Sequence, residues 1–423
     1  MKQLTTLTIL LVLLALGCSS GLEPDGPAAG EIPKVDPAQV GLSQERLDRI
    51  TAALQADVER GHLAGAIGVV ARRGKIGYWQ TVGMADRENG RAMSDDTIFR
   101  IYSMTKPIVG VGLMTLYEEG RFNLRDRVKN YIPELGGLEV LDGDSTTKAR
   151  REMTVQDLMR HTAGMGYGGG DTAADKKFRE LDVLGGNRSI DDFIQKLAQV
   201  PLKHHPGSAW EYSVSVDVQG RLIEVLSGQD LDTFLNERVF GPLDMRDTGF
   251  TVPDEKKDRF VQMYAKTEDG EGIEPASADR STGYYDYESK WFSGGGGLVS
   301  TTRDYLRFCQ MMLNGGMLGD QRILSRKTIE LMTRDHVEGV RRASRTLSDG
   351  YGFGLDFAVH VDKAKSGLNG SLGEYNWGGL AGTIFWIDPT EEMIGLYMIQ
   401  LLPPRFGDGR GQFKRLAYQA IAD

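Results

Sequence analysis

A serine hydroxyl attacks a carbonyl poorly at neutral pH unless a base lies within hydrogen-bond reach. Two stretches of this sequence supply such a pair at helical spacing, Ser103-Met104-Thr105-Lys106 and Ser145-Thr146-Thr147-Lys148. Residues three apart share a helix face, so Ser-x-x-Lys sets an amine beside a hydroxyl. Desolvation makes an amine a better proton acceptor, and a helix N-terminus turns free N–H groups toward developing negative charge. Context separates the two copies. Lys148 sits in a polar run (LDGDSTTKARRE) with no apolar face to bury it, and a solvated lysine keeps its proton. Lys106 lies between an apolar strand-like run, Thr97 to Tyr102, and Ile108, Val109, Val111, Leu113 and Met114. Pro107 is tolerated there because first-turn N–H groups have no helical partner. Ser103 is thus the expected nucleophile and Lys106 its base.

Other hydrolytic chemistries lack their residues. The only Gly-x-Ser-x-Gly pentad, Gly17 to Gly21, follows an apolar leader rather than a core strand, so it is no nucleophile elbow. The only Gly-Lys pair, Gly74-Lys75, is followed by Ile76, which excludes a Walker loop. The six histidines form no HExxH pattern, and the adjacent His204 and His205 have no partner one helical turn away. No metal or other cofactor is expected.

The elements that must position Ser103 follow from periodicity. Ser43 opens a helix carrying Leu47, Ile50, Leu54 and Val58 on one face, with Gly61 to end it. Ala66–Ala71 and Ile76–Val82 read as a hairpin about Arg72-Arg73-Gly74-Lys75. From about Asn123 to Glu274 the pattern is mostly helical, including Val218 to Leu226 before Gly228 and Leu231 to Phe240, with a loop at Gly164–Asp171 too rich in glycine for regular structure. Strands return at Phe353–Val359, Gly382–Ile387 and Met393–Gln400, and Phe413, Leu416, Ala417, Ala420 and Ile421 close the chain as a helix. The expected fold is α/β (α+β): one central antiparallel sheet built from both chain ends, residues 38–122 and 275–423, flanked by helices, with an inserted helical subdomain at 123–274. Of 423 residues 40% are hydrophobic and 26% charged, and the net charge of −9 argues against nucleic acid as a partner.

The first residues read as a secretory leader. A basic start precedes the apolar run 4–16, too short for a membrane span. Ala15-Leu16-Gly17-Cys18 resembles a bacterial lipobox with Leu and Ala exchanged, which implies a signal peptide at 1–17 and a diacylated Cys18. Ser19 to Pro37, rich in Gly, Pro and Ser, would be a flexible tether. The expectation is a lipoprotein held to a membrane facing the periplasm; Ser19-Ser20, with no aspartate after the cysteine, points to the outer one. The remaining cysteine, Cys309, falls in the apolar run Tyr305–Leu313 and reads as a buried structural thiol.

Three segments carry a family resemblance. Asp96–Pro107 (DTIFRIYSMTKP) resembles the nucleophile region of serine β-lactamase-related enzymes, in particular the class C-like esterases. Leu158–Gly164 (LMRHTAG) is similar to that group's Leu-Leu-x-His-Thr-Ser-Gly, and Ser293–Asp304 (SGGGGLVSTTRD) to its Gly-Gly-Leu-x-Ser-Thr. The resemblance spans residues 38 to 421 with the motifs in the family's order. It implies that Tyr212, in WEYSVSVD, stands for the tyrosine of a Tyr-x-Asn motif and relays the proton, with Val214 in place of the asparagine. It also implies that Trp377-Gly378-Gly379 replaces a Lys-Thr-Gly or His variant, so Trp377, Gly378, Gly379 and Leu380 would border the substrate. The N–H groups of Ser103 and Leu380 would then form the oxyanion hole.

The resulting expectation is acyl transfer to water through an acyl-enzyme on Ser103, with a small-molecule acyl substrate. Loss of the asparagine and of the cationic or imidazole group favours short-chain esters, with weak β-lactam hydrolysis as a side activity. The nearest rival is a D,D-carboxypeptidase or β-lactamase. A non-catalytic envelope protein of the same fold is a rival of another class, against which stand the intact Ser103, Lys106 and Tyr212.

Overall fold

The computed structural model describes residues 30–143, 145–185, 189–277, 291–403 and 407–423. Cys18, the leader and most of the tether lie outside these residues.

An eight-stranded antiparallel sheet forms the middle layer. Its strands are β1 (Gly65–Arg72), β2 (Lys75–Asp86), β3 (Arg91–Ala92), β4 (Tyr351–Phe353), β5 (Ala358–His360), β6 (Tyr375–Gly378), β7 (Ile384–Asp388) and β8 (Met393–Met398), in the order β4-β5-β6-β7-β8-β1-β2-β3. The central pairing, β1 on β8 with Val69 opposite Leu396, joins the two ends of the chain, as expected for a sheet assembled from both termini. Side chains alternate across a strand, so both faces of this sheet bury an apolar layer. Val70, Trp386 and Tyr397 pack with Leu47, Ile50 and Leu54 of α1 (Gln44–Glu59) and with Phe413 and Ala417 of a C-terminal helix, Gly409–Tyr418. Val69, Phe385 and Leu396 belong to the larger cluster on the other face.

That second face is dominated by α2 (Thr105–Glu118), in which every residue from Thr105 to Leu116 is buried. A helix apolar all round must lie inside. It packs between the sheet and the helical part, whose elements include α3 (Val155–Met159) and α4 (Ser215–Ser227). α4 ends on Gly228 in the left-handed region (φ +77°), where the pattern placed the stop. α5 (Thr302–Leu313) covers the same face of the sheet, and α6 is the C-terminal helix Gly409–Tyr418. Cys309 is fully buried on α5, and burial pushes its thiol well above the usual value.

Three expectations need correction. Phe353–Val359 is not one strand: Gly354 N–H donates to Phe357 O (2.7 Å) and Asp356 turns through φ +66°, folding the run into the β4–β5 hairpin. Composition hid this turn, because the residues on either side of it are all buried. The tether does not reach Pro37 as a free segment. Val35 N–H donates to Ile76 O (3.0 Å), Ile76 N–H to Pro33 O (2.8 Å), and Arg307 grips Gly30 O (2.7 Å). The insertion also ends early. Val261 and Gln262 N–H groups bond Ile98 O and Ala85 O, and Tyr264–Lys266 pairs in parallel with Leu401–Leu402 on the sheet side.

One buried charge fixes the α3 turn. Asp157 is fully buried; it accepts from Arg151 (2.5 and 3.0 Å), Arg160 (3.0 Å), Thr162 Oγ1 (2.8 Å) and, closing a capping box, Thr154 N–H (3.0 Å). Burial pushes its pKa up, but the hydrogen bonds and the arginine charge outweigh burial and hold it down at about 2. A depressed folded value means stability present in full above the ordinary carboxylate range and lost as pH falls toward 2. Asp157→Asn is expected to cost about 3–5 kcal/mol at pH 7. In urea unfolding, the gap between variant and parent should narrow as the pH drops below 4; a gap constant with pH would refute this account.

Candidate active site

Ser103 is delivered by a strand that ends against the helical layer. Ile98–Arg100 pairs antiparallel with Val299–Thr301, and Ile101 N–H donates to Leu298 O (3.1 Å). The chain then turns through Tyr102, a non-glycine residue at φ +43°, and Ser103 occupies the 3₁₀ turn Tyr102–Met104 that runs into α2. Left-handed backbone costs a bulky residue free energy, of order 1–3 kcal/mol, and persists only where surroundings impose it. They do so here: Tyr305 Oη of α5 donates to Met104 O (2.9 Å), and Leu298 N–H to Thr105 Oγ1 (3.1 Å).

Lys106 is almost wholly buried, at 1% exposure. Its Nζ lies 3.2 Å from Ser103 Oγ and donates to Gly295 O at 2.5 Å. Gly295 is also tied to α4 through its other peptide: its N–H donates to Asp217 Oδ1 (3.0 Å), which also accepts from Ser293 Oγ (2.6 Å). Glycine is required at 295, since a Cβ there would overlap the Asp217 carboxylate. Burial raises the Asp217 pKa, with Ser293 and the Lys106 charge pulling the other way. The second Ser-x-x-Lys pair lies on the fully exposed strand Ser145–Lys148.

Tyr212 flanks the amine, its ring centroid 4.7 Å from Lys106 Nζ. Its hydroxyl accepts from Trp377 Nε1 (3.2 Å), and its ring is packed by Trp377, Tyr167 and His161 at centroid distances of 5.2, 5.4 and 4.9 Å. His161 is fully buried, with Nδ1 3.1 Å from Ser213 Oγ. Burial and the Lys106 charge push its pKa well below the usual value, so it stays a neutral ring.

Ser103, Tyr167 and Tyr212 open on a cleft of about 310 Å³, lined also by Tyr102, Trp291, Leu380, Asp217 and Gly295–Gly297. Of the four residues expected from the tryptophan motif, Leu380 alone lines it. Trp377 is 7% exposed on β6 and meets Tyr212 rather than the cleft. Gly378 closes β6. Gly379 has a different reason from the one expected: a Cβ there would fall 2.5 Å from Ile101 O, so the glycine lets the end of β6 approach the segment that leads into Ser103.

Three contributors went unread in the sequence. Tyr167 is the large aromatic in the glycine-rich loop after LMRHTAG, and its hydroxyl is raised well above 10, chiefly by burial. Asp217 is the acid that ends WEYSVSVD, and Gly295 lies within SGGGGL; residue type alone gave neither a partner. Another buried acid stands behind the amine. Asp356 Oδ1 accepts from Gln219 Nε2 of α4 (3.0 Å), while Oδ2 has no partner among the described residues. Burial raises its pKa well above the usual value, partly offset by Gln219 and Lys106. A raised carboxyl costs stability as pH climbs from the ordinary value of 3.8 toward the folded one. Asp356→Asn should therefore raise the melting temperature by more at pH 8 than at pH 4; an equal shift at both would show that the carboxyl does not titrate on unfolding.

The beta-lactamase family profile matches residues 50–419. Esterase EstB of Burkholderia gladioli is 31% identical over 379 residues, covering 84% of this chain and 90% of that one. An uncharacterized protein of Mycobacterium tuberculosis is 34% identical over 369 residues, again 84% of this chain and 90% of the other. Among solved structures, EstCE1, described as a hydrolase with promiscuous acyltransferase activity, superposes with a TM-score of 0.77 at 26% identity, over 90% of this chain and 99% of its own. With a serine, a buried lysine and a tyrosine gathered on one cleft of this fold, the chain belongs to the beta-lactamase family, as a serine hydrolase.

Proposed function

We propose that the chain is a carboxylesterase acting on short-chain acyl esters through an acyl-enzyme on Ser103. The observation that carries this reading is the 3.2 Å contact between Ser103 Oγ and the buried Lys106 Nζ, inside a cleft walled by aromatic rings. In the reacting form the bond runs from Oγ–H to the neutral amine. Oγ attacks the ester carbonyl carbon as its proton passes to Nζ, and the carbonyl electron pair moves onto oxygen. That oxygen faces the N–H groups of Ser103 and Leu380. Collapse of the tetrahedral species breaks the bond to the alcohol, whose oxygen takes a proton relayed through Tyr212 Oη. Water then repeats the sequence on the acyl-enzyme and releases the acid.

The same geometry favours uncharged esters over peptides that end in a carboxylate. Trp377 fills the strand position where the family carries a cationic or imidazole group, and its N–H is committed to Tyr212. The cleft lining otherwise consists of hydroxyls, glycines, apolar side chains and the buried Asp217. EstB, named an esterase, supports the reading. We further propose that Cys18 carries a diacylglyceryl group that holds the enzyme at the cell envelope, facing the periplasm.

Protein lacking residues 1–18, assayed on p-nitrophenyl butyrate, nitrocefin and a D-Ala-D-Ala peptide, should turn over the ester best. Ser103→Ala and Lys106→Ala should each lower kcat by at least about 10³-fold. An acyl mass adduct should appear on Ser103 and vanish in Ser103→Ala. Fastest turnover of the peptide would overturn the substrate assignment, and no turnover with no adduct would overturn the enzyme reading. For the anchor, intact mass of membrane-extracted protein should show the lipid on Cys18; an unmodified N-terminus elsewhere would refute it.

A further inference from the structure

The turn that follows β6 carries Leu380 to the cleft, and its backbone is tied on both sides of that residue. Gly379 N–H donates to Thr383 O (2.8 Å), Gly382 N–H to Gly379 O (3.2 Å), and Leu401 N–H to Ala381 O (3.0 Å). Arg410, in the first turn of α6, does not line the cleft and reaches into this turn from outside it. Its Nε donates to Gly382 O (3.1 Å) and its Nη2 to Gly379 O. The guanidinium makes no ion pair among the described residues, so its charge is directed at two backbone carbonyls. A cation partly withdrawn from water and spent on carbonyls calls for a reason.

The reason lies in the peptide unit that Arg410 holds. Gly379 C=O and Leu380 N–H belong to one planar trans peptide, so they point in opposite directions. With the oxygen fixed by Arg410 and by Gly382 N–H, the Leu380 N–H faces away from both. Among the described residues no group accepts from it. Leu380 lines the same cleft as Ser103. A cation on the carbonyl also polarises the peptide and strengthens its N–H as a donor.

We propose that Arg410 is a positioning residue for the oxyanion hole: it clamps and polarises the Gly379–Leu380 peptide so that the Leu380 N–H is aimed at the oxygen that becomes negative on attack by Ser103. The inference rests on the acyl-enzyme reading above and adds to it a residue outside the cleft. The planar fork holds two carbonyls three residues apart in fixed directions; an ammonium is a point charge on a flexible stem and lacks that directionality.

The test compares Arg410→Lys and Arg410→Met with the parent on p-nitrophenyl butyrate, each normalised to active sites by the nitrophenolate burst. Loss of one whole oxyanion donor costs about 10²–10³-fold in kcat, and a misaimed donor should cost less, about 10–100-fold for Met. The Lys variant should fall in between, and KM should stay within about twofold, because the ground-state ester leans little on the hole. Phenylboronic acid, which forms a tetrahedral adduct on the serine, should lose affinity in proportion to kcat/KM. A merely structural role would lower the burst amplitude and melting temperature while leaving kcat per active site and boronate affinity unchanged, and that result overturns the proposal. So does a raised KM at constant kcat, which would place Arg410 against the substrate. If Met at 410 prevents folding, the Lys variant decides by the same criteria. Absence of turnover in the parent itself would instead sink the acyl-enzyme reading, which separates the two failures.

Discussion

A lysine amine with 1% exposure, between a sheet and a helical layer, is the constraint on which this molecule turns. Moving an ammonium out of water costs several kcal/mol unless hydrogen bonds replace the solvent. Here the replacements are the carbonyl of the distant Gly295, a residue tied through its N–H to Asp217 on α4, and the neighbouring Ser103 hydroxyl. Each partner has a structural requirement of its own. Gly295 must be glycine to sit against Asp217, and Ser103 must lie on a tight turn to meet the helix that carries Lys106. Tyr212, Tyr167 and His161 then close over the amine with rings rather than charges. His161 adds no second cation beside Lys106, because burial and the Lys106 charge keep its ring neutral.

Strained backbone also occurs around the same amine. Tyr102, His161 and Asp356 are all non-glycine residues with positive φ, and each comes from a different segment meeting at α2. Unfavourable conformations of this kind survive where surrounding contacts dictate them. Those contacts are the Tyr305 and Thr105 bonds around Tyr102, the Asp157 network below His161, and Gln219 beside Asp356. The two apolar layers on the sheet supply the rigidity that lets the site hold these arrangements.

Much of this was legible in the residues because the signals are local. The period of Leu47, Ile50 and Leu54, the hairpin about Gly74 and the halt at Gly228 each fix an element within a few residues. Ser103 and Lys106 stand three apart, and the apolar side chains of α2 already implied a buried amine. What stayed hidden depends on contacts between distant segments. Nothing near Trp377 in the sequence reveals that its N–H is spent on Tyr212, 165 residues away. Gly379 reads as space for a ligand until Ile101 O is found beside it. Phe353–Val359 read as one strand because burial is uniform across its turn, which erases the polar break that marks most turns.

The pairing of β1 with β8 also governs the order in which the molecule can come into being. Arg72 lies opposite Met393, Ser43 N–H donates to Ala420 O, and Arg72 is closed by ion pairs with Glu391 and Asp423, the last residue. Contacts so distant in sequence carry a heavy loop-closure entropy and slow the folding search. A nascent chain therefore holds Ser103 and Lys106 long before it holds the strands that complete the sheet under α2. Until β4 to β8 have been made, the larger apolar layer has no complete sheet to close against, and the Lys106 side chain stays in water.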